Sequence, residues 1–506
     1  MRSLRCVIVA VLLGLIVPGG LFAQWEPDVR LTNDPFDSIT CFANAKAVAT
    51  SGDTVHVVWA DSRDGNFEIY YKQSLDGGTT WGVDTALTAD ASWSERPTVV
   101  ADGSTVHVAW YDGRLGPPRI FYKKSLDNGA TWGADVSLTP AAGVAYHPSM
   151  VVSGSTVHVA WTDMSAGPQI YYTRSLDSGT TWETQQNITP SAPAAGKNFA
   201  SIAASGSDVH VAWMDYRGEP RIYYTRSQDN GVTWDTDKAI TSTYSQFPSI
   251  VAVGSTIHMV YSDFRDGEPY PRTYYQRSPD AGDSWDAEVA LTISPAAWYP
   301  SIAACGSFVQ TVWLTDLTGD PEVYSNSSDD GGITWQGLPT RLTDNPSDAK
   351  EPSVAISDSG VHVVWHDDRD ANWETYYKRM SFTTATLSAT ISADPSSGTL
   401  PFSTQFTVQL NNDYDGQTRT MAAHIDAALA SGATFPNWRA GFTNVAASDS
   451  YHGSWYQNIP ALATLVGANV FTLVAEDVTP APYNQPPYPP AGDTATSFCT
   501  VTGIAP

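Results

Sequence analysis

One column of residues changes type where everything around it repeats. It reads Ala45, Arg96, His147, Phe199, Phe247, Tyr299 and Glu351, and in most copies a proline follows. A departure from a faithful repeat marks a position that a ligand has shaped, although ordinary loop drift gives the same variety. Arg96, His147, Tyr299 and Glu351 are chemically capable types, and Phe199 and Phe247 complete the candidate set. A second group is Asp-x-Arg, present as Asp61/Arg63, Asp112/Arg114, Asp215/Arg217, Asp263/Arg265 and Asp367/Arg369. Five arginines on one face would form a positive ring for carboxylate or sulfate ligands, whose geometry the guanidinium matches. The alternative is an Asp–Arg pair that rigidifies each loop. The run Asp61-Ser-Arg-Asp64-Gly-Asn66-Phe-Glu68 has oxygen ligands at calcium-like spacing, but Arg63 stands among them. No Cys/His cluster has zinc spacing, so no cofactor is expected, with calcium at Asp61 to Glu68 as the alternative.

The elements that position these residues repeat with a period near fifty. Ser-x-Asp-x-Gly-x-Thr-Trp begins at Ser74, Ser125, Ser175, Ser227, Ser278 and Ser328, with Ser284 replacing the Thr of the fifth copy. Its tryptophans, Trp81, Trp132, Trp182, Trp234, Trp285 and Trp335, are 50 to 52 residues apart. In phase with it runs Val-His-Val-Ala-Trp-x-Asp, centred on His56, His107, His158, His210, His258, Gln310 and His362. Its alternation is that of a strand. A short apolar strand precedes it, and an aromatic strand such as Ile170 to Arg174 follows. A last strand after the turn, such as Trp182 to Thr189, makes four, here called A to D. Four-stranded units repeated radially are propeller blades.

Seven B strands face only six Asp turns. The seventh unit puts Met380 where the serine belongs and has no D strand of its own. Trp25 to Thr32 matches the D pattern, so the N-terminal strand is expected to complete the last blade and close the ring. Strand polarity puts the A–B and C–D turns on one face. The D–A and B–C loops, with the variable column and the arginines, lie on the other, at the channel mouth. Six equivalent aspartates cannot share one active site, so the turn Asp is structural, accepting backbone N–H groups. The regularly spaced histidines are read as core or interblade residues.

The Ser-x-Asp-x-Gly-x-Thr-Trp turn resembles the Asp box, or bacterial neuraminidase repeat, and on it residues 25–380 resemble the Asp-box propellers of the sialidase superfamily. That resemblance implies a propeller fold, and the seven B strands set its blade number at seven. The resemblance implies chemistry more weakly, since the box also occurs in other glycosidases, lyases and binding proteins. Sialidases use an arginine triad on the substrate carboxylate, a Tyr nucleophile helped by Glu, and an Asp acid/base. By that resemblance Tyr299 and Glu351, in adjacent blades, are the candidate catalytic pair, and Arg96 a carboxylate ligand. The family's aromatic-Arg-Ile-Pro signature is missing, Glu95-Arg96-Pro97 being the nearest match, and these blades are more uniform than sialidase blades.

The chain opens with Arg2 and Arg5, an apolar run from Cys6 to Val17 and a cleavage site after Ala23. Residues 1–23 are therefore expected to be a signal peptide of a secreted protein without a transmembrane segment. A net charge of −26 excludes nucleic acid and anionic membranes as partners. Of four cysteines one lies in the leader, and the odd, widely spaced remainder is no disulfide framework. The propeller is expected over 24–382. Residues 383–506, with strands such as Phe406 to Leu410 and Val470 to Ala475, are expected to form an immunoglobulin- or fibronectin-like sandwich. The expected protein is a monomeric, secreted propeller that recognises extracellular glycan or protein ligands without catalysis. The alternative is an exo-glycosidase acting on terminal acidic sugars.

Overall fold

The computed structural model describes residues 25–382 except 42–44, 141–142, 191–195, 266–269, 293–295 and 317–318. Beyond them it describes the backbone of seven strands between Leu387 and Val501. The expected signal peptide lies outside the described residues, among which there is no helix.

Seven antiparallel sheets follow one another along the chain. Blade two is representative, with A at Ser94–Asp102, B at Thr105–Asp112, C at Arg119–Ser125 and D at Val136–Ser137. The D strands pair over two residues only, shorter than the sequence pattern suggests. In blade one strand A is split into Ser38–Ile39 and Val48–Ser51. Each A strand packs on the A strands of both neighbouring blades, and the circle closes from blade seven to blade one. The N-terminal closure is present: Val29 pairs with Tyr377, Arg30 with Tyr376, and Trp25 bridges to Met380.

The B strand is sandwiched, which explains its pattern. Val106, Val108 and Trp110 pack against Val58, Ala60 and Tyr71 of blade one. Ala109 and Tyr111, on the opposite face, pack with Val157, Val159 and Trp161 of blade three. Alternation therefore serves two apolar interfaces rather than one wet and one dry face. The B-strand tryptophans, Trp59, Trp110, Trp161, Trp213, Trp313 and Trp365, are fully buried, and removing one would cost about 3–5 kcal/mol.

The histidines of strand B belong to a second joint between blades. His56 Nδ1 shares a 2.7 Å hydrogen bond with the Tyr71 hydroxyl, and Tyr71 meets Trp132 of the next blade's Asp turn edge-on at 5.0 Å. The same pairing recurs for His107, His158, His210, His258 and His362. Blade six has Gln310 for the His, and Ser325 stands where Tyr275 stands in blade five. The partner that this His and Tyr would meet is the one Asp turn the chain lacks, that of blade seven. There Phe308 and Phe382 meet edge-on instead, at 5.4 Å. The two irregularities of the repeat are thus two sides of one interface.

After residue 383 the described strands form a five-stranded antiparallel sheet in chain order, Leu387–Thr390 to Ser454–Ile459. A hairpin of Phe471–Ala475 and Ser497–Val501 follows. The segment is β. The loops and side chains that would define an immunoglobulin-like sandwich lie outside the described residues.

Candidate functional site at the channel mouth

The variable column sits in a β-bulge. In blades two to seven strand A shifts register against strand B, between Glu95 and Thr98 in blade two and at matching positions elsewhere. The column residue and its successor fill the bulge, where a proline costs no ladder hydrogen bond. Arg96, His147, Phe199, Phe247, Tyr299 and Glu351 all have positive φ, between 48° and 57°. None is glycine, although each non-glycine residue there costs about 1–3 kcal/mol. The bulge re-aims these six side chains toward one another.

Four of them pack ring against ring in sequence, the first pair stacked at 28° and the next two tilted at 58° and 50°. The ring centroids of His147 and Phe199 are 4.8 Å apart, those of Phe199 and Phe247 4.9 Å, and those of Phe247 and Tyr299 4.6 Å. The other two pair: Arg96 Nη1 donates to both Glu351 oxygens, at 2.9 and 2.8 Å. Blade one supplies only Ala45 between them. Its next residue, Lys46, stands where five blades carry proline, and its amine donates to the Ile302 carbonyl of blade six at 2.5 Å. That break in the proline column was the sequence signal for a further channel residue.

Burial dominates the electrostatics of the site. Burial pushes the Glu351 carboxyl up, with Arg96 opposing, and burial with the Glu351 charge pushes the Tyr299 phenol up. Burial, helped by Arg96, lowers His147 to about 4, and it lowers His366, beside Glu351 at 4.0 Å, to about 3. Burial also lowers Lys46 to about 8.

The five loop arginines are committed within their blades. Arg63 grips Asp61 through Nε and Nη2, reaches Asp84 and Asp34, and lies 4.4 Å over the Tyr70 ring. Arg114 binds Asp112, Asp135 and Asp90 above Phe121; Arg217 binds Asp215 and Asp237 above Tyr223. Arg265 binds Asp263 and Glu288 above Tyr274, and Arg369 binds Asp367 and Asp28 above Tyr376. This is the loop-rigidifying arrangement. The calcium-like run is spent similarly: Asp61 on Arg63, Asp64 on the Tyr70 hydroxyl, and Glu68 on Asn66. Among the described residues no cluster of His, Cys, Asp and Glu is arranged to hold a metal.

The fold and its Asp turns define a seven-bladed propeller of the neuraminidase-repeat kind. Residues 150–312 match the BNR repeat-like domain. No curated protein sequence matches the chain. Among solved structures, a family-25 polysaccharide lyase, an ulvan lyase bound to -[GlcA(1-4)Rha3S]-, superposes with a TM-score of 0.52 at 10% identity, over 69% of this chain and 95% of that one. A Hadza microbial sialidase gives 0.42 at 16% identity, over 59% and 65%. The GH93 α-L-arabinofuranosidase of Fusarium graminearum gives 0.42 at 16%, over 61% and 98%. At 10% identity the likeness to the lyase is one of fold alone.

Proposed function

We propose that this is a secreted propeller that recognises extracellular glycans at the channel mouth and does not cleave them. The observation that carries the reading is the contiguous aromatic arc His147, Phe199, Phe247 and Tyr299, which ends beside the Arg96–Glu351 pair. Aromatic rings offer a rigid amphipathic surface to the apolar face of a sugar, and a charged pair beside them supplies directional hydrogen bonds. The lyase of the same fold, solved with a saccharide bound, is consistent with such a ligand.

Catalysis has less support. A nucleophilic phenol needs a lowered pKa or an adjacent base, whereas Tyr299 is pushed up and Glu351 is held by Arg96. The competing reading is an exo-glycosidase with Tyr299 as nucleophile, Glu351 as its helper and Arg96 on a substrate carboxylate. Exposure of the protein to mixed sialylated, sulfated and neutral glycans separates the two. Retained but intact glycans, with retention lost in Phe247→Ala, support recognition. Release of a terminal acidic sugar, abolished by Tyr299→Phe, establishes the glycosidase and overturns it.

A further inference from the structure

The aromatic arc is the middle of a longer track of rings. At blades two and three, Trp93 packs edge-on against Tyr111 at 5.4 Å, and Tyr111 meets Tyr146 at 5.4 Å and His147 at 6.2 Å. A Cβ on Gly113 would lie 2.9 Å from the Trp93 ring, so the glycine inside that blade's Asp-x-Arg makes room for the indole. At blades five and six, Tyr244 stacks on Phe264 at 4.4 Å and 15°, and Phe264 meets Trp298 at 5.6 Å. Phe264 fills the position that Gly113 holds in blade two. One chain position thus either builds a platform or clears space for one.

The two clusters lie three blades apart on a ring of seven, nearly opposite across the mouth. Trp93, Tyr146, Tyr244 and Trp298 are half-buried. Between them the arc rings pack on one another, and a ligand therefore lies over the arc rather than between its members. The charged groups here are largely balanced, Arg96 by Glu351 and the loop arginines by their aspartates. A chain carrying −26 repels a polyanion.

We propose that the mouth holds an internal stretch of a linear, neutral polysaccharide, several pyranose units long, anchored at opposite rims by Trp93 and Trp298. This rests on the glycan-binding reading above and adds polymer length, neutrality and two anchors. Pyranoses with equatorial linkages present flat C–H faces along the chain, the geometry a row of rings accepts.

The test is calorimetric titration of the whole protein with cellohexaose and mannohexaose, their disaccharides, and a sulfated or uronate hexasaccharide. The neutral hexasaccharide is expected to bind at least about tenfold tighter than its disaccharide, one stacking contact being worth roughly that factor. Trp93→Ala and Trp298→Ala should each remove about that factor for the hexamer and leave the disaccharide unchanged. Trp93→Leu and Trp298→Leu, which keep apolar bulk, serve if the alanine variants lose their fold. Equal affinity for dimer and hexamer, or tryptophan variants that bind the hexamer normally, overturns the spanning mode while glycan binding stands. Tighter binding of the acidic hexamer overturns neutrality. Folded protein that binds no glycan removes this proposal and the reading beneath it together.

Discussion

Arg96 of blade two and Glu351 of blade seven join hands over blade one, 255 residues apart in sequence and 2.8 Å apart in space. They meet because Ala45 puts only a methyl group at the intervening position, too short to block them. Four contiguous rings and one ion pair thereby line the mouth of the channel.

That pair is largely desolvated, so the cost of breaking it differs from the cost of deleting it. Glu351→Gln leaves a guanidinium without its counter-charge and is expected to lose about 3–5 kcal/mol in chemical denaturation. Arg96→Met combined with Glu351→Leu should recover most of that loss. A single variant as stable as the parent contradicts this picture of the pair.

The six histidines paired with tyrosines set the acid limit of the fold. Burial lowers each to about 4, whereas an unfolded imidazole takes its proton near pH 6.5. As pH falls the unfolded chain binds protons first. Stability is therefore full above pH 7 and declines between about 6.5 and 4, by up to about 1.4 kcal/mol per pH unit for each histidine. The melting temperature should fall steeply across that window and stay flat from pH 7 to 8. His107→Gln should make the fall shallower, and an unchanged slope would exclude His107 from it.

Gly129 of the Asp turn has φ +85°, and a Cβ there would stand 2.1 Å from the Tyr71 hydroxyl of the preceding blade. Gly129→Ala strains the backbone and breaks the His56–Tyr71 joint, at a cost of about 3 kcal/mol or more. Gly154, at φ +57° with open space around it, isolates the backbone term, so Gly154→Ala should cost about 1 kcal/mol. Thermal unfolding of the two variants compares them directly.

Arg217→Ala removes the ties to Asp215 and Asp237 and the stacking on Tyr223, leaving the buried Asp215 carboxylate with fewer donors. A loss of about 3 kcal/mol is expected, with glycan affinity of the folded protein unchanged. A fall in affinity without loss of stability would return the loop arginines to the ligand.

The blades were legible because a repeat states its own boundaries. Trp81 to Trp335 fixed the period, and Met380 with Trp25 pointed to the shared last blade. The coupling of Gln310 and Ser325 to the absent seventh turn was visible only as irregular spelling, because the contact joins blades and no spacing within one blade reveals it. The variable column was found by type, yet its positive φ, its stacking and the reach of Arg96 to Glu351 depend on a bulge that alternation does not show. Asp-x-Arg was ambiguous for another reason. A free ring and a set of clamps share one sequence, and they differ only in whether Asp84, Asp135 and Asp237 lie within reach.

The borrowed strand of the last blade also sets a schedule. Arg30 and Glu374 are 344 residues apart. At roughly 5–20 residues per second, a ribosome needs about 20–70 s to deliver the second after the first. For that interval Trp25 to Arg30 has no partner, and the first six blades have no closed circle to join. The earliest part of the propeller to be made is the last to be used, so a premature stop in the seventh blade leaves both ends of the ring exposed at once.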